Sequence, residues 1–323
     1  MPQLAAPTSL PLRMQHARPE LARLTLVDWT LGNTCNYACS YCPPRLHDGS
    51  AAWPDPARVL AFCDRLIAHY ASLNRQLLFQ FSGGEPTVYP HFLELIQHLH
   101  QRACKVGVIS NASRTLRWWR EALPHLDQAV LTHHIEFVDL NHFIEVTRCL
   151  ASNIRTHVNV TMHPQRFDEC LANAQRIAAA CPDITLTLKP LLIDFGSTPY
   201  AYTNPQRDTI RTTAFPIRRT RPLQESRGLM QITYDDGHIE TRKAADLIVT
   251  SQNRFKDWEC HAGIELLAID FSGNIFRALC RQDGPIGHID DQHLDLPTQP
   301  VMCTREVCHC ATDLMTSRHR PPQ

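Results

Sequence analysis

Three cysteines in the run Cys35-Asn36-Tyr37-Ala38-Cys39-Ser40-Tyr41-Cys42 carry the strongest chemical signal in this chain. A four-iron cluster is normally held by four Cys thiolates. A C-x3-C-x2-C loop supplies three, which leaves one iron without a protein ligand. Such an open position is what separates catalytic metal sites from closed structural ones. The competing reading is a zinc loop, although zinc sites usually pair cysteines as C-x2-C with a second pair or histidines downstream. Further along, Phe81-Ser82-Gly83-Gly84-Glu85-Pro86-Thr87 follows the apolar run Leu77-Leu78-Phe79-Gln80. Two glycines at a strand end let the backbone approach a ligand closely or take positive φ. A carboxylate held there can accept hydrogen bonds from an ammonium group. Alone, this segment reads as an ordinary strand-to-helix turn; the cysteine loop ahead of it gives it weight.

Together, the cysteine loop and Gly83-Gly84-Glu85 resemble the radical S-adenosylmethionine (radical SAM) superfamily. The resemblance implies that Cys35, Cys39 and Cys42 hold a [4Fe–4S] cluster whose open iron binds the amine and carboxylate of S-adenosylmethionine. It implies further that Tyr41, just before the last Cys, lies near the adenine. Gly83, Gly84 and Glu85 are then expected to contact the methionyl amine. The chemistry implied is reductive cleavage of the sulfonium, giving a 5′-deoxyadenosyl radical that takes a hydrogen atom from substrate. In such enzymes the cofactor carries the chemistry, and the protein supplies orientation, electrostatics and shelter.

These motifs need a scaffold to position them. An apolar run over 24–31 predicts a strand that delivers the cysteine loop at its C-terminal end. Asp55-Pro56 predicts a helix start, with Asp as the cap and Pro in the first turn. Val59, Phe62, Cys63, Leu66, Ile67 and Tyr70 then recur at helical spacing. Further strands are expected over 76–81, 105–110, 128–132, 156–162 and 184–192. They alternate with helices carrying Phe92 to Leu99, Leu116 to Leu123, and the segments 140–152 and 167–181. Repeated strand–helix units imply an α/β fold with a mainly parallel sheet. The resemblance makes it a partial (β/α)6 barrel over 24–195. Around it, the expected organisation is an N-terminal extension (1–23), a connector or lid (196–228) and a small α+β cysteine-rich domain (229–323). Ligand sites gather at the C-terminal ends of parallel strands, where Asn111, His133, His134, His163 and Lys189 also fall. Asn111 and His133 therefore stand beside Tyr41 and the Gly-Gly-Glu segment as candidate cofactor contacts.

Composition narrows the function class. Lys+Arg and Asp+Glu balance at 32 each among 323 residues, so no global field draws the chain to nucleic acid or to an anionic membrane. The basic clusters at 211–221 and Arg318-His319-Arg320 read as solvated faces. The first 23 residues are broken by Pro2, Pro7, Pro11 and Pro19 and contain no apolar core suited to a signal peptide or membrane span. A cytoplasmic location is expected. There, 13 cysteines point to metal binding or buried thiols rather than to disulfides. Cys63, Cys104, Cys149, Cys170 and Cys181 read as packing residues.

A second cysteine field comprises Cys260, Cys280, Cys303, Cys308 and Cys310. Hairpin signals surround it, one turning at Asp235-Asp236-Gly237 and one at Ser272-Gly273-Asn274. The arrangement resembles the auxiliary-cluster extensions of radical SAM enzymes called twitch and SPASM domains. It departs from a full SPASM series, since only Cys303-x4-Cys308-x-Cys310 follows Cys280. The resemblance thus implies one further iron–sulfur cluster, with Cys260, Cys280, Cys308 and Cys310 as the expected ligands and Cys303 as the alternate. A structural zinc knot is the other reading.

One open and one closed cluster together imply hydrogen abstraction followed by oxidation or cross-linking, on a peptide or a small molecule. An external one-electron donor of flavodoxin or ferredoxin type is expected. With so few residues ahead of the first strand, no separate peptide-recognition domain is expected there, and leader recognition would come from another protein. The alternative is a single-cluster radical SAM enzyme with structural zinc, acting on a nucleoside, a sugar or RNA. A non-catalytic metal-binding scaffold is remote, because it has no use for an amine-binding carboxylate beside its metal loop.

Overall fold

A computed structural model describes residues 9–196, 198–215 and 228–321. In chain order the elements are β1 (Pro11–His16), α1 (Pro19–Ala22), β2 (Leu24–Thr30), α2 (Pro56–Ser72), β3 (Gln76–Ser82), α3 (Phe92–Gln101), β4 (Lys105–Ser110), α4 (Leu116–Ala122), β5 (Gln128–His133), α5 (Leu140–Ala151), β6 (Arg155–Met162), α6 (Phe167–Ala180) and β7 (Thr185–Pro190). They are followed by α7 (Asn204–Thr212), β8 (Leu229–Tyr234), β9 (Ile239–Lys243), α8 (Ala244–Val249), β10 (Glu259–Cys260), β11 (Leu266–Ile269), β12 (Asn274–Phe276), β13 (Gly287–His288), β14 (Val301–Met302), α9 (Ala311–Leu314) and β15 (Arg318–His319).

Two sheets organise these elements. One has nine strands in the order β13-β12-β11-β2-β3-β4-β5-β6-β7, and the run from β11 to β7 is parallel. Odd-numbered residues of β2, β3 and β5, such as Val27, Trp29, Phe79, Phe81, Ala129 and Leu131, pack into the helix layer. There Trp29 meets Phe62 of α2 edge-on at 5.4 Å, and Phe81 meets Phe92 of α3 at 5.6 Å. Helix α2 starts as its sequence dictates, with the Asp55 carboxylate accepting from Arg58 N at 3.0 Å and Pro56 in the first turn.

The other face of the parallel sheet is mixed: Leu24, Leu26 and Leu78 pack there with Leu266 and Ala278, and a run of polar residues crosses it. Asp28 pairs with Gln80 across the β2–β3 ladder, Gln80 with Gly107, and Gly107 with Gln128. Thr132 pairs with Asn159, and Asn159 with Thr187. Because strand side chains alternate between faces, these residues line one continuous wall.

The second sheet is antiparallel, in the order β14-β10-β15-β1-β8-β9. Its composition departs from the expected boundaries in two ways. Strand β1, within the supposed N-terminal extension, lies between β8 and β15 in the C-terminal sheet. The hairpin β11–β12, assigned by sequence to the C-terminal region, extends the parallel sheet by pairing Leu266 with Leu26. Both pairings join residues more than two hundred positions apart, which local periodicity cannot reveal. The connector also differs in part. Residues 204–212 form α7, opened by a capping box between Thr203 and Gln206, and Tyr202 donates to Met162 O at 2.5 Å. The rest of that stretch, 216–227, lies outside the described residues. Among the described residues, no helix is long and apolar enough to cross a membrane.

Met14 of β1 is 1% exposed and sits in the core of the antiparallel sheet with Met230, Leu247, Phe255, Trp258 and Cys308. Met14→Ala should therefore cost about 2–5 kcal/mol. Amide exchange should speed up in β8, β9, β10, β14 and β15 and stay unchanged in the parallel sheet; equal acceleration in both sheets would refute the placement.

Candidate active site

Both sequence motifs emerge where β2 and β3 end, and the backbone zips them together. Leu31 N donates to Ser82 O, Gly84 N to Gly32 O and Glu85 N to Thr34 O, at 2.9, 3.0 and 2.9 Å. This approach needs glycine. A Cβ on Gly84 would lie 2.4 Å from Thr34 O, and one on Gly83, whose φ is +150°, would lie 2.5 Å from Gly32 O. Behind the cysteine loop, buried Asn33 donates to Arg45 O, Asp48 Oδ1 and Ser50 Oγ, which closes the segment between residues 33 and 50.

The Glu85 carboxyl is 1% exposed. Its Oε1 accepts from Thr87 N, Thr87 Oγ1 and Ser110 Oγ at 3.1, 2.6 and 2.9 Å, and Oε2 accepts from Asn111 N at 2.7 Å. Burial pushes its pKa up while these donors pull it down, and the net shift is upward. Glu85 thus ties the end of β3 to the end of β4. Oε2, with one donor, keeps capacity to accept another. Asn111 continues the tie: its Nδ2 donates to Asn36 Oδ1 at 3.0 Å and lies 3.9 Å from Cys35 Sγ.

On the other flank, Tyr41 stacks on His134 with centroids 6.0 Å apart, and its hydroxyl lies 2.9 Å from His134 Nδ1. Thr161 and His163 of the β6 end complete this wall. Glu136 braces the loop between Cys39 and Cys42, accepting from Ser40 N at 2.7 Å and from Ser40 Oγ at 2.5 Å. Sequence reading had missed Glu136, Thr161 and Asn33. They carry no motif of their own, and Glu136 is signalled only by its position just beyond the strand end at His133-His134.

One candidate is misplaced. His133 is fully buried in the helix layer, edge-on to Phe143 of α5 and 3.3 Å from Asn173 of α6. Its neighbour His134 faces Tyr41 instead. Adjacent strand residues point to opposite faces, so the shift of one position decides which histidine reaches the site. Lys189, on the polar wall, is exposed and lies within electrostatic range of His134 and His157.

The thiols of Cys35, Cys39 and Cys42 lie within electrostatic range of one another. Burial pushes Cys35 to about 11, Cys39 to about 12 and Cys42 upward. A metal would have to displace those protons. Among the described residues, no three Cys, His, Asp or Glu side chains converge tightly enough to enclose a single ion. A four-iron cluster makes no such demand, since each thiolate binds its own iron. The donor set of the loop therefore fits a cluster.

The second cysteine field gathers in one region. Cys260 lies within electrostatic range of Cys280, Cys303 and Cys308. Cys310 precedes α9 and faces the N–H groups of Thr312 and Asp313. The Asp313 carboxyl beside it also lies within electrostatic range of Cys260, Cys280 and Cys308, so Cys310 shares their surroundings. Cys303 is held beside β10 through Cys303 N to Trp258 O at 2.8 Å. The field lies against the polar wall: burial raises the Asp28 carboxyl to about 6, and Asp313 beside α9 adds to the rise.

Residues 29–186 match the family model of the Radical SAM superfamily. The matched segment, just under half of the chain, is a radical SAM domain, and that family implies S-adenosylmethionine and a [4Fe–4S] cluster. Among solved structures, anSMEcpe with bound AdoMet is similar at TM-score 0.50 and 12% identity, over 83% of this chain and 78% of that one. SuiB of Streptococcus suis, bound to its precursor peptide SuiA, is similar at TM-score 0.51 and 11% identity, over 85% of this chain and 64% of SuiB. This chain thus spans under two thirds of SuiB's length, and at these identities the likeness is one of fold. No curated protein matches the sequence.

Two outcomes follow from this geometry. Gly84→Ala drives its Cβ into backbone, so it should cost about 1–3 kcal/mol and lower the iron retained by the N-terminal loop; iron content and urea unfolding together check this. Burial, aided by His133 and Lys189, lowers His134 to about 4. A histidine with a depressed native pKa contributes stability above its ordinary value and loses it as pH falls. Between pH 7 and 5 the chain should therefore lose about 2 kcal/mol more than the His134→Asn variant, measured by urea midpoints. Equal losses would show that His134 is not held neutral.

Proposed function

We propose that this protein is a radical SAM enzyme that abstracts hydrogen from a peptide or small polar substrate and uses a second cluster in the ensuing oxidation or cross-linking. The observation that carries this reading is the gathering of Cys260, Cys280, Cys303 and Cys308 from separate segments against the polar wall of the sheet. Two isolated thiol groups in one fold suit one open and one closed centre.

In this reading Cys35, Cys39 and Cys42 hold the open cluster. Gly83, Gly84 and the free capacity of Glu85 Oε2 receive the methionyl amine. Tyr41, held by His134 and Thr161, presents a flat face to the adenine. Asn111 and Glu136 fix the loop from either side, so its thiols need little rearrangement on binding. When bound, the cluster and S-adenosylmethionine supply the 5′-deoxyadenosyl radical. The polar wall, with Thr132, Asn159, Thr187 and Lys189, offers hydrogen bonds and one cation to the substrate. Such a lining suits a peptide backbone or a polyhydroxylated small molecule better than an apolar ligand. SuiB, solved with a precursor peptide, supports the peptide option. The electron is expected from a flavodoxin or ferredoxin.

The test is iron and sulfide in anaerobically reconstituted protein with Cys35, Cys39 and Cys42 all changed to Ala. About four irons per chain should remain, the content of one [4Fe–4S] unit. Zinc in their place, or no metal, would overturn the second cluster. Failure of the unaltered protein to yield 5′-deoxyadenosine under strong reduction would overturn the radical chemistry itself.

A further inference from the structure

Arg318 is 2% exposed, and its position is unusual for a cation. Its Nε donates to Thr316 O at 3.1 Å and its Nη2 to Asp313 O at 2.6 Å. The guanidinium carbon lies 4.3 Å from the centroid of Phe255. These partners satisfy donors and cover a face, but none carries a full negative charge. Among the described residues, no carboxylate lies within ion-pair distance of Arg318; Asp313 turns its own carboxyl to Leu279 N at 2.9 Å.

What surrounds the guanidinium is sulfur. Cys260 is its direct partner across the β10–β15 pair. Cys260, Cys308 and Cys303 are its strongest electrostatic neighbours. A buried cation without a counter-charge costs several kcal/mol. The sulfurs are its foremost source of compensating charge, as when they ligate a metal centre that is negative overall, and the Asp313 carboxyl, within electrostatic range, adds to it.

We infer that Arg318 is the charge-compensating residue of the C-terminal cysteine centre, and that its fixed positive charge raises the reduction potential of a cluster held there. This rests on the second-cluster reading above. Net charge and hydrogen bonds to the sulfurs are among the main determinants of cluster potential. Arg318 acts through the ligands and is a positioning residue, without contact to substrate.

The experiment uses the full chain with Cys35, Cys39 and Cys42 changed to Ala, so that only the C-terminal centre reports. Iron is quantified, and the potential is read by EPR-monitored titration, for the parent, Arg318→Lys and Arg318→Met. Arg318→Met should shift the reduction equilibrium at least tenfold toward the oxidised state, about 59 mV for a one-electron couple, and Arg318→Lys by a clearly smaller factor. Iron loss from Arg318→Met with retention in Arg318→Lys supports the same role. Should Arg318→Met not fold, Arg318→Gln, which keeps a donor without charge, takes its place. Potentials unchanged in both variants, or equal iron loss from both, would overturn the inference. A parent without iron would instead overturn the second-cluster reading. If that parent holds zinc, release of zinc to a chelator from Arg318→Met but not from Arg318→Lys supports the charge role, and equal retention overturns it.

Discussion

The buried carboxylate of Glu85 is the constraint on which the candidate site depends. A carboxylate removed from water is costly unless its oxygens are occupied. Here the compensation comes from Thr87, Ser110 and the backbone N–H of Asn111. Because those donors sit at the ends of different strands, satisfying Glu85 fixes where β3 and β4 stop relative to each other. The zipped hydrogen bonds from Gly84 and Glu85 to Gly32 and Thr34 then fix β2 and the cysteine loop to the same frame. A cluster loop needs such a frame, since its ligands belong to a segment with little regular structure of its own.

The second group of thiols is built by the opposite means. Its thiols come from segments far apart in the chain, and of them only Cys260 lies on a strand, the two-residue β10, which pairs with the equally short β14 and β15. Short antiparallel pairings give little stability alone. What holds them is the apolar core around Met14, Phe255, Trp258 and Leu314, together with Arg318 among the sulfurs. The N-terminal strand β1 is part of that core, so the two ends of the chain combine to build the region.

Between the two groups of thiols runs the polar part of one face of the parallel sheet. In most α/β proteins both faces of such a sheet are covered by helices, and the strands read as continuous apolar runs. Here the even-numbered positions of β2, β3 and β5 carry Asp28, Thr30, Gln76, Gln80, Ser82, Gln128 and Thr132 beside Leu24, Leu26, Leu78 and Val130. The helix layer covers one face alone, which leaves the other to a ligand and to the C-terminal cysteine region.

Much of this was legible in the residues. The parallel strands and their helices were fixed by strong local periodicity, and Asp55-Pro56 marked the start of α2 through a cap that needs only three residues. The cysteine loop and Gly83-Gly84-Glu85 declared their chemistry because ligand spacing and close backbone approach are local properties of sequence. Long-range pairing decided the rest. Whether His133 or His134 faces the site is a matter of strand parity set by the neighbouring strands. That Cys303 returns to Cys260 depends on the backbone pairing of Cys303 with Trp258. That β1 belongs beside β15, and β11 beside β2, follows from hydrogen bonds between residues hundreds of positions apart. Composition and spacing carry no record of such contacts, so the sequence determined which chemistry the chain can hold, and the tertiary structure decided which residues stand around it.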